Sequence, residues 1–189
     1  KYLDALMGLT SVSLGHAYEP VLERVREELL KGSNFSRPSF IEREMAEKFL
    51  SMIPQHDRIK FAKNGSVVTT AAIKLARAAT GRNIVARTAE HPFYSYDDWF
   101  IGSTDCNFGV PSSVKNMTIT FKHNDLDDLE RIFNEYPGQI ACIIGEPEKW
   151  ETVAPDFYQK AIKIAHDNGA LWIMDEMITG FKTDYPGSI

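Results

Sequence analysis

Short apolar runs alternate with helical stripes along this chain, and that alternation limits its fold more than any other feature. Ile84-Val85-Ala86 and residues 117–121, 140–144 and 171–174 read as strands, each a few β-branched or aromatic residues bounded by polar turns. Upstream of the first, Val68, Ala72, Leu75, Ala76 and Ala79 form a stripe that predicts a helix from Ser66 to Thr80, stopped by Gly81. Helical patterns also fill the gaps at Leu126 to Tyr136 and at Pro155 to Asn168, the latter closed by Gly169. Strands separated by helices imply a mostly parallel sheet covered on both faces, an α/β architecture.

The N-terminal part reads differently. Pro20 sits at a helix start, Val21, Leu22, Val25, Leu29 and Leu30 make an apolar stripe, and Gly32 stops it. After a loop at residues 32–38, Ile41, Met45 and Phe49 recur at helical spacing until Pro54. The expected division is therefore residues 1–54, helical, and residues 55–189, the α/β body. With 189 residues, 43% of them hydrophobic, one sizeable core is expected. The formal net charge of −5 comes without any basic run, which argues against a nucleic-acid partner. Cys106 and Cys142 are the only cysteines; Cys142, inside an apolar run, reads as a free buried thiol and suits a reducing, cytoplasmic setting. No apolar segment approaches the roughly 20 residues that span a bilayer, so no membrane partner is expected. The missing initiator Met and the ending at Pro186-Gly187-Ser188-Ile189 suggest an excerpt from a longer chain.

Three segments carry chemistry, and no metal-ligand set is among them. In Asn64-Gly65-Ser66 the glycine permits close backbone approach, and the free N–H groups and dipole of the following helix make a site for a phosphate, with the Ser66 hydroxyl as a further donor. Alternatively Ser66 simply caps that helix. The segment is neither a Walker loop nor a dinucleotide fingerprint, so a monophosphate fits better. Phe93-Tyr94-Ser95-Tyr96, with Trp99 and Phe100 close behind, offers an aromatic face to a planar ring, although most of these side chains should cover the core edge. Asp175 and Glu176 directly follow the last apolar run, at the carboxyl end of a strand expected to be buried, where open α/β sheets bind ligands. A phosphate site, an aromatic face and such a carboxylate are what pyridoxal 5'-phosphate (PLP) requires. The acid pairs with the pyridine nitrogen and keeps it protonated, so the ring can act as an electron sink.

The chain resembles the large, cofactor-binding domain of class III (ω-type) aminotransferases, most closely the glutamate-1-semialdehyde 2,1-aminomutase-like branch. The resemblance runs over nearly the whole chain. Leu14-Gly15-His16-Ala17 before Pro20 looks like that family's Leu-Gly-His-x-x-Pro, and residues 31–36 like its loop near the substrate entrance. Leu75-Ala76-Arg77-Ala78-Ala79-Thr80-Gly81-Arg82 is characteristic, Gly145-Glu146-Pro147 falls on Glu-Pro, and Asp175-Glu176-Met177-Ile178-Thr179-Gly180-Phe181-Lys182 falls on Asp-Glu-Val-x-Thr-Gly-Phe-Arg, the most specific signature. The resemblance implies a fold type I large domain whose first 54 residues form the entrance segment. It also implies PLP as cofactor, small-molecule amine and carbonyl substrates, and a homodimer with the site at the subunit interface. Gly65 and Ser66 would hold the phosphate, Phe93 would stack on the ring, Asp175 would pair with the ring nitrogen, and Met177 would pack the opposite ring face. Glu146 falls on a family acid near the cofactor; a carboxylate ending a buried strand can equally be structural.

The departures define a second reading. The family favours Ser-Gly-Thr-Glu-Ala where this chain has Asn64-Gly65-Ser66-Val67-Val68, and Tyr-His-Gly where it has Phe93-Tyr94-Ser95. The Schiff-base lysine of the family is expected beyond Ile189. Lys182, replacing the family's Arg, reads as solvated or ion-paired, and Lys149 as a loop lysine. The alternative is thus a catalytically silent fold type I-like protein that binds a phosphorylated ligand or a partner.

Overall fold

A computed structural model describes residues 2–90, 93–147, 153–182, 185 and 187. They fall into two compact units, Lys1–Lys60 and Phe61–Ile189. Lys149 lies outside the described residues.

The first unit contains α1, Glu19–Leu29, and α2, Phe40–Met52. Pro20 stands in the first turn of α1, where its missing N–H costs nothing. A reciprocal capping box between Ser39 and Glu42 opens α2. The expected apolar stripe is present on α1, yet neither helix contains a buried residue: Val21, Val25 and Leu29 all stay exposed.

The second unit carries the sheet. Its elements run α3 (Gly65–Thr80), β1 (Ile84–Thr88), α4 (Asp98–Ile101), α5 (Ser112–Lys115), β2 (Thr118–Phe121), α6 (Leu126–Glu135), β3 (Ile140–Gly145), α7 (Phe157–Asp167) and β4 (Leu171–Met174). The strands are all parallel in the order β2-β1-β3-β4, as the alternation predicts. From β1 the chain moves to one side, and from β3 to the other, so the order reverses between two neighbouring strands. The carboxyl ends of β1 and β3 therefore flank the crevice typical of such sheets.

Apolar side chains divide between two faces. Ile84 and Ala86 of β1 join Leu129, Ile132 and Phe133 of α6 and Phe157, Ala161 and Ala165 of α7. Val85, Cys142 and Ile144 point the other way, onto Ile73 and Ala76 of α3 and onto Tyr94, Trp99 and Phe100. Ile140 and Ile143 share a face despite odd spacing because β3 is irregular: Ile84 pairs with Ile140 but Val85 with Cys142, leaving Ala141 as an extra residue. The expected α3 stripe is displaced: of its members only Ala76 is buried, while Val68, Leu75 and Ala79 are exposed, because the helix turns Ser66, Thr69, Ile73 and Ala76 toward the sheet. One strand departs from expectation. The 171–174 run forms β4 but is only part-buried, because it is the edge of the described sheet with a single strand neighbour.

Arg87 is the one buried cation among the described residues and holds β1 to the segment after α4. Its Nε donates to Ser103 Oγ at 2.8 Å, Nη2 to the Ser103 carbonyl at 2.8 Å, and Nη1 to the Thr88 and Ala89 carbonyls at 2.8 and 3.3 Å. The guanidinium also lies 5.1 Å from the Phe100 ring centre. Burial pushes its pKa down, and Glu90 pushes it back up. Because Arg87→Met would leave several buried acceptors unmet, it is expected to destabilise the full-length protein by about 2–3 kcal/mol. Chemical denaturation should register this as a lower midpoint at unchanged slope, with Arg87→Lys recovering less than half the loss.

Candidate functional site

The beginning of α3 meets the carboxyl ends of the strands because α3 precedes β1 and runs antiparallel to it. Asn64 caps the helix, its Oδ1 accepting from Val67 N–H at 3.1 Å, while the Val68 N–H reaches the Asn64 carbonyl. This corrects the capping expectation: the cap is Asn64, and Ser66 lies inside the first turn. With those donors satisfied, the N–H groups of Gly65 and Ser66 remain as the open donors of a 16-residue helix. Buried Ser66 has a different tie, its Oγ accepting from Tyr96 N–H at 3.3 Å. That bond uses an acceptor position of the hydroxyl and leaves its proton for another partner.

Tyr96 N–H belongs to the segment after β1. Within this segment Tyr94 and Trp99 are buried, as is Phe100, while Phe93 and Tyr96 face outward. Phe93 makes a T-shaped contact with Phe100, with ring centres 5.6 Å apart, and remains 55% exposed. The expectation that most of the cluster covers the core edge therefore matches the structure.

Asp175 follows β4 directly. Its N–H donates to the Gly145 carbonyl at 2.9 Å, so the ends of β3 and β4 stay in register one residue past the strands. Glu146, next along β3, is half-buried, and its carbonyl accepts from Tyr158 OH at 2.7 Å. The Asp175 carboxylate is buried, makes no ion pair among the described residues, and accepts from Met177 N–H at 2.9 Å. Burial pushes its pKa up, the Met177 N–H lowers it, and the nearby Glu176 raises it again. A carboxylate held this way is an electrostatic invitation to a cation. Glu176 is itself engaged, accepting from Thr179 Oγ1 at 2.6 Å within the turn that follows.

Met177 joins these pieces into one place. Its thioether lies so close to Gly65 that a Cβ added there would sit 2.0 Å from Met177 Cε and 2.8 Å from Sδ. The open end of α3, Met177 and the Asp175 carboxylate are therefore contiguous. The Ser66–Tyr96 bond connects them to the Phe93 segment. Four of the six predicted site residues, Gly65, Ser66, Met177 and Asp175, thus form a linked chain at the carboxyl edge, with Phe93 on the segment tied to Ser66 through Tyr96 and Glu146 on the neighbouring strand end. Lys182 is exposed, beyond the Asp175 turn.

Sequence reasoning missed Thr69, Thr70, Ser95 and Asp97, which tie α3 to the Phe93 segment. Thr69 Oγ1 donates to the Tyr94 carbonyl at 3.0 Å, and the Trp99 indole N–H donates to Thr70 Oγ1 at 2.9 Å. A signal was available: two threonines in an alanine-rich helix, three and four residues after Ser66, share its face and oppose helix propensity.

Comparison with known proteins identifies the family. Residues 1–184 match the family model described as aminotransferase class-III. The chain is 32% identical over 201 residues to glutamate-1-semialdehyde 2,1-aminomutase of Francisella philomiragia, covering all of this chain and 46% of that enzyme. The same enzyme of Hyperthermus butylicus is 33% identical over 200 residues, with 47% of its length covered. The chain thus spans about half the length of these curated relatives. Among solved structures, an omega-transaminase from Sphaerobacter thermophilus superposes with a TM-score of 0.85 at 25% identity, over 96% of this chain and 45% of that one. The FumI protein of Sphingopyxis sp. MTA144, in a PLP form, gives 0.79 at 27% identity over 88% of this chain and 41% of its own.

Proposed function

The chain belongs to the class-III aminotransferase family, and from that premise we propose that it is the cofactor-binding part of a PLP enzyme that moves an amino group between an amine or amino acid and a carbonyl compound. The observation that carries this reading is the contiguity of two complementary features: N–H groups at the start of α3 without a partner among the described residues, and a buried carboxylate at Asp175 without an ion pair among them. One end suits a phosphate and the other a protonated ring nitrogen, so the residues present fit the group.

When bound, PLP supplies a ring that withdraws electrons from the substrate carbon bearing the amino group. Gly65 and Ser66 N–H groups and the Ser66 hydroxyl bind the phosphate. Phe93 stacks on the ring, and Met177 packs the opposite side. Asp175 holds a proton at the ring nitrogen; the burial that raises its pKa alone makes the pairing strong once a cation arrives. Glu146 borders the site from β3 and keeps the backbone course of that strand end. The lysine that moves the substrate proton belongs to a part of the protein outside this chain, in keeping with relatives about twice as long.

Transamination with an external acceptor and an aminomutase reaction share these residues. The named relatives support the second, the transaminase structures the first. A homodimer is part of the proposal, as is a cytoplasmic setting. Cys106 and Cys142 are both free thiols, and burial pushes Cys142 up to about 12, which makes it unreactive. Among the described residues no helix is long and apolar enough to cross a membrane.

Absorbance titration of the full-length protein with PLP tests the reading. A new long-wavelength band that saturates at one cofactor per chain is expected, displaced or lost in Asp175→Ala. No band in the unmodified protein overturns the proposal in favour of a silent phosphate binder.

A further inference from the structure

We propose that Thr70 and Asp97 form a positioning clamp that sets the phosphate-facing hydroxyl of Ser66; the inference rests on the PLP reading above and deepens it. Its basis is an N-cap residue whose side chain is turned away from its own helix. Asp97 occupies the N-cap of α4 with extended backbone, φ −72° and ψ 156°, yet makes no side-chain cap bond. An aspartate in that place ordinarily accepts from the next N–H groups of its helix. Here the carboxylate instead accepts from the Thr70 hydroxyl, across 27 positions of sequence. Thr70 Oγ1 in turn accepts from the buried Trp99 indole N–H at 2.9 Å. Donor, relay and anion thus form one chain: Trp99 to Thr70 to Asp97.

The consequence reaches Ser66 through short steps. Asp97 N–H donates to Ser95 Oγ at 3.1 Å, and Ser95 Oγ donates toward the Ser66 carbonyl at 3.5 Å. Tyr96 N–H, between them, holds Ser66 Oγ at 3.3 Å. Because that N–H occupies an acceptor position of the hydroxyl, it fixes the half-space in which the Ser66 proton can point. A shift of residues 95–97 therefore redirects the donor without removing it. Thr69 anchors the same segment through the Tyr94 carbonyl at 3.0 Å, so loss of the clamp loosens one end of a strap that is still tied at the other. Neither Thr70 nor Asp97 is assigned any contact with the cofactor. Both act through Ser66.

The test compares binding of PLP and of pyridoxal, which lacks the phosphate, to the full-length protein and to Thr70→Val, Thr70→Ser and Asp97→Ala. Thr70→Val is isosteric but cannot relay the bond, and Asp97→Ala removes no cap bond from α4, so the two variants reach the same loss by different routes. Both are expected to lower the preference for PLP over pyridoxal at least about fivefold with pyridoxal affinity within about twofold, since one directed hydrogen bond to a charged group is at stake. Thr70→Ser should restore the preference. An unchanged preference in the variants overturns the clamp, and so does a parallel fall in both affinities together with apo-protein melting temperature, which would mark a purely structural role. A wild-type protein without preference for PLP shows instead that the phosphate reading itself has failed, and the clamp with it.

Discussion

Asp175→Asn in the full-length protein is expected to lower amino-transfer turnover by about 100-fold or more, the usual scale for removing one preorganised electrostatic partner, and at the same time to raise the melting temperature of the cofactor-free protein. The substitution isolates charge, because asparagine keeps the Oδ1 that accepts from Met177 N–H. The two effects share a cause. Burial pushes the Asp175 carboxyl above its ordinary range, the Met177 N–H opposes this, and Glu176 adds to it. Below the ordinary carboxylate range the group is protonated whether the protein is folded or not, and it costs nothing. As pH rises from the ordinary carboxylate range to the raised folded value, the unfolded chain ionises while the folded protein still holds its proton, so stability falls, and the loss is complete once the folded carboxyl is a buried anion too. The asparagine variant escapes that loss. The stability gap between variant and parent should therefore open as pH rises above the ordinary carboxylate range and close below it. Saturating PLP should reverse its sign near neutrality, since a cation beside the carboxylate removes the penalty in the parent only. Thermal melts at several pH values, with and without PLP, check this. A cofactor-free variant no more stable than its parent at neutral pH would show that Asp175 is solvated rather than waiting for a partner.

Sequence periodicity revealed the parallel sheet because each strand was a short apolar run and each crossover a separate helix. Three pieces of the candidate site were legible for a related reason: they lie where elements change, at Gly65-Ser66, Phe93 and Asp175, and polar or aromatic residues at such junctions stand out. What periodicity could not give was strand order. The reversal between β1 and β3, which brings the Phe93 segment toward the Asp175 turn, is set by crossovers whose direction leaves no mark on composition. Nor could it separate Asn64 from Ser66 as the cap, since both residue types favour that position and the choice depends on one backbone turn. The Thr70–Asp97 bond was invisible for the same reason as any long-range contact between polar side chains: each residue alone suits a helix surface or a loop. Exposure of the edge strand β4 depends on what lies beside it, which residues 171–174 do not encode.

Gly65→Ala is expected to leave stability near that of the parent and to weaken PLP binding about tenfold or more, the scale of one lost hydrogen bond to a charged group. Gly65 is not among the positive-φ glycines, so its conformation is open to any residue. Alanine gains up to about 1 kcal/mol of helix propensity over glycine. Against this, its methyl would lie 2.0 Å from Met177 Cε. That atom is the free end of a flexible, half-exposed side chain, and swinging it aside costs on the order of 0.5–1.5 kcal/mol. The two terms nearly cancel. For an anion they do not, because the methyl stands beside the open N–H groups where a phosphate must approach. Met177→Ala separates the two roles of the glycine: it removes the collision but not the obstruction. PLP affinity should thus stay low in the Gly65→Ala/Met177→Ala double variant relative to Met177→Ala alone. Recovery of affinity in the double variant would instead mean that Gly65 is small to make room for Met177, and that the phosphate does not lie against the start of α3.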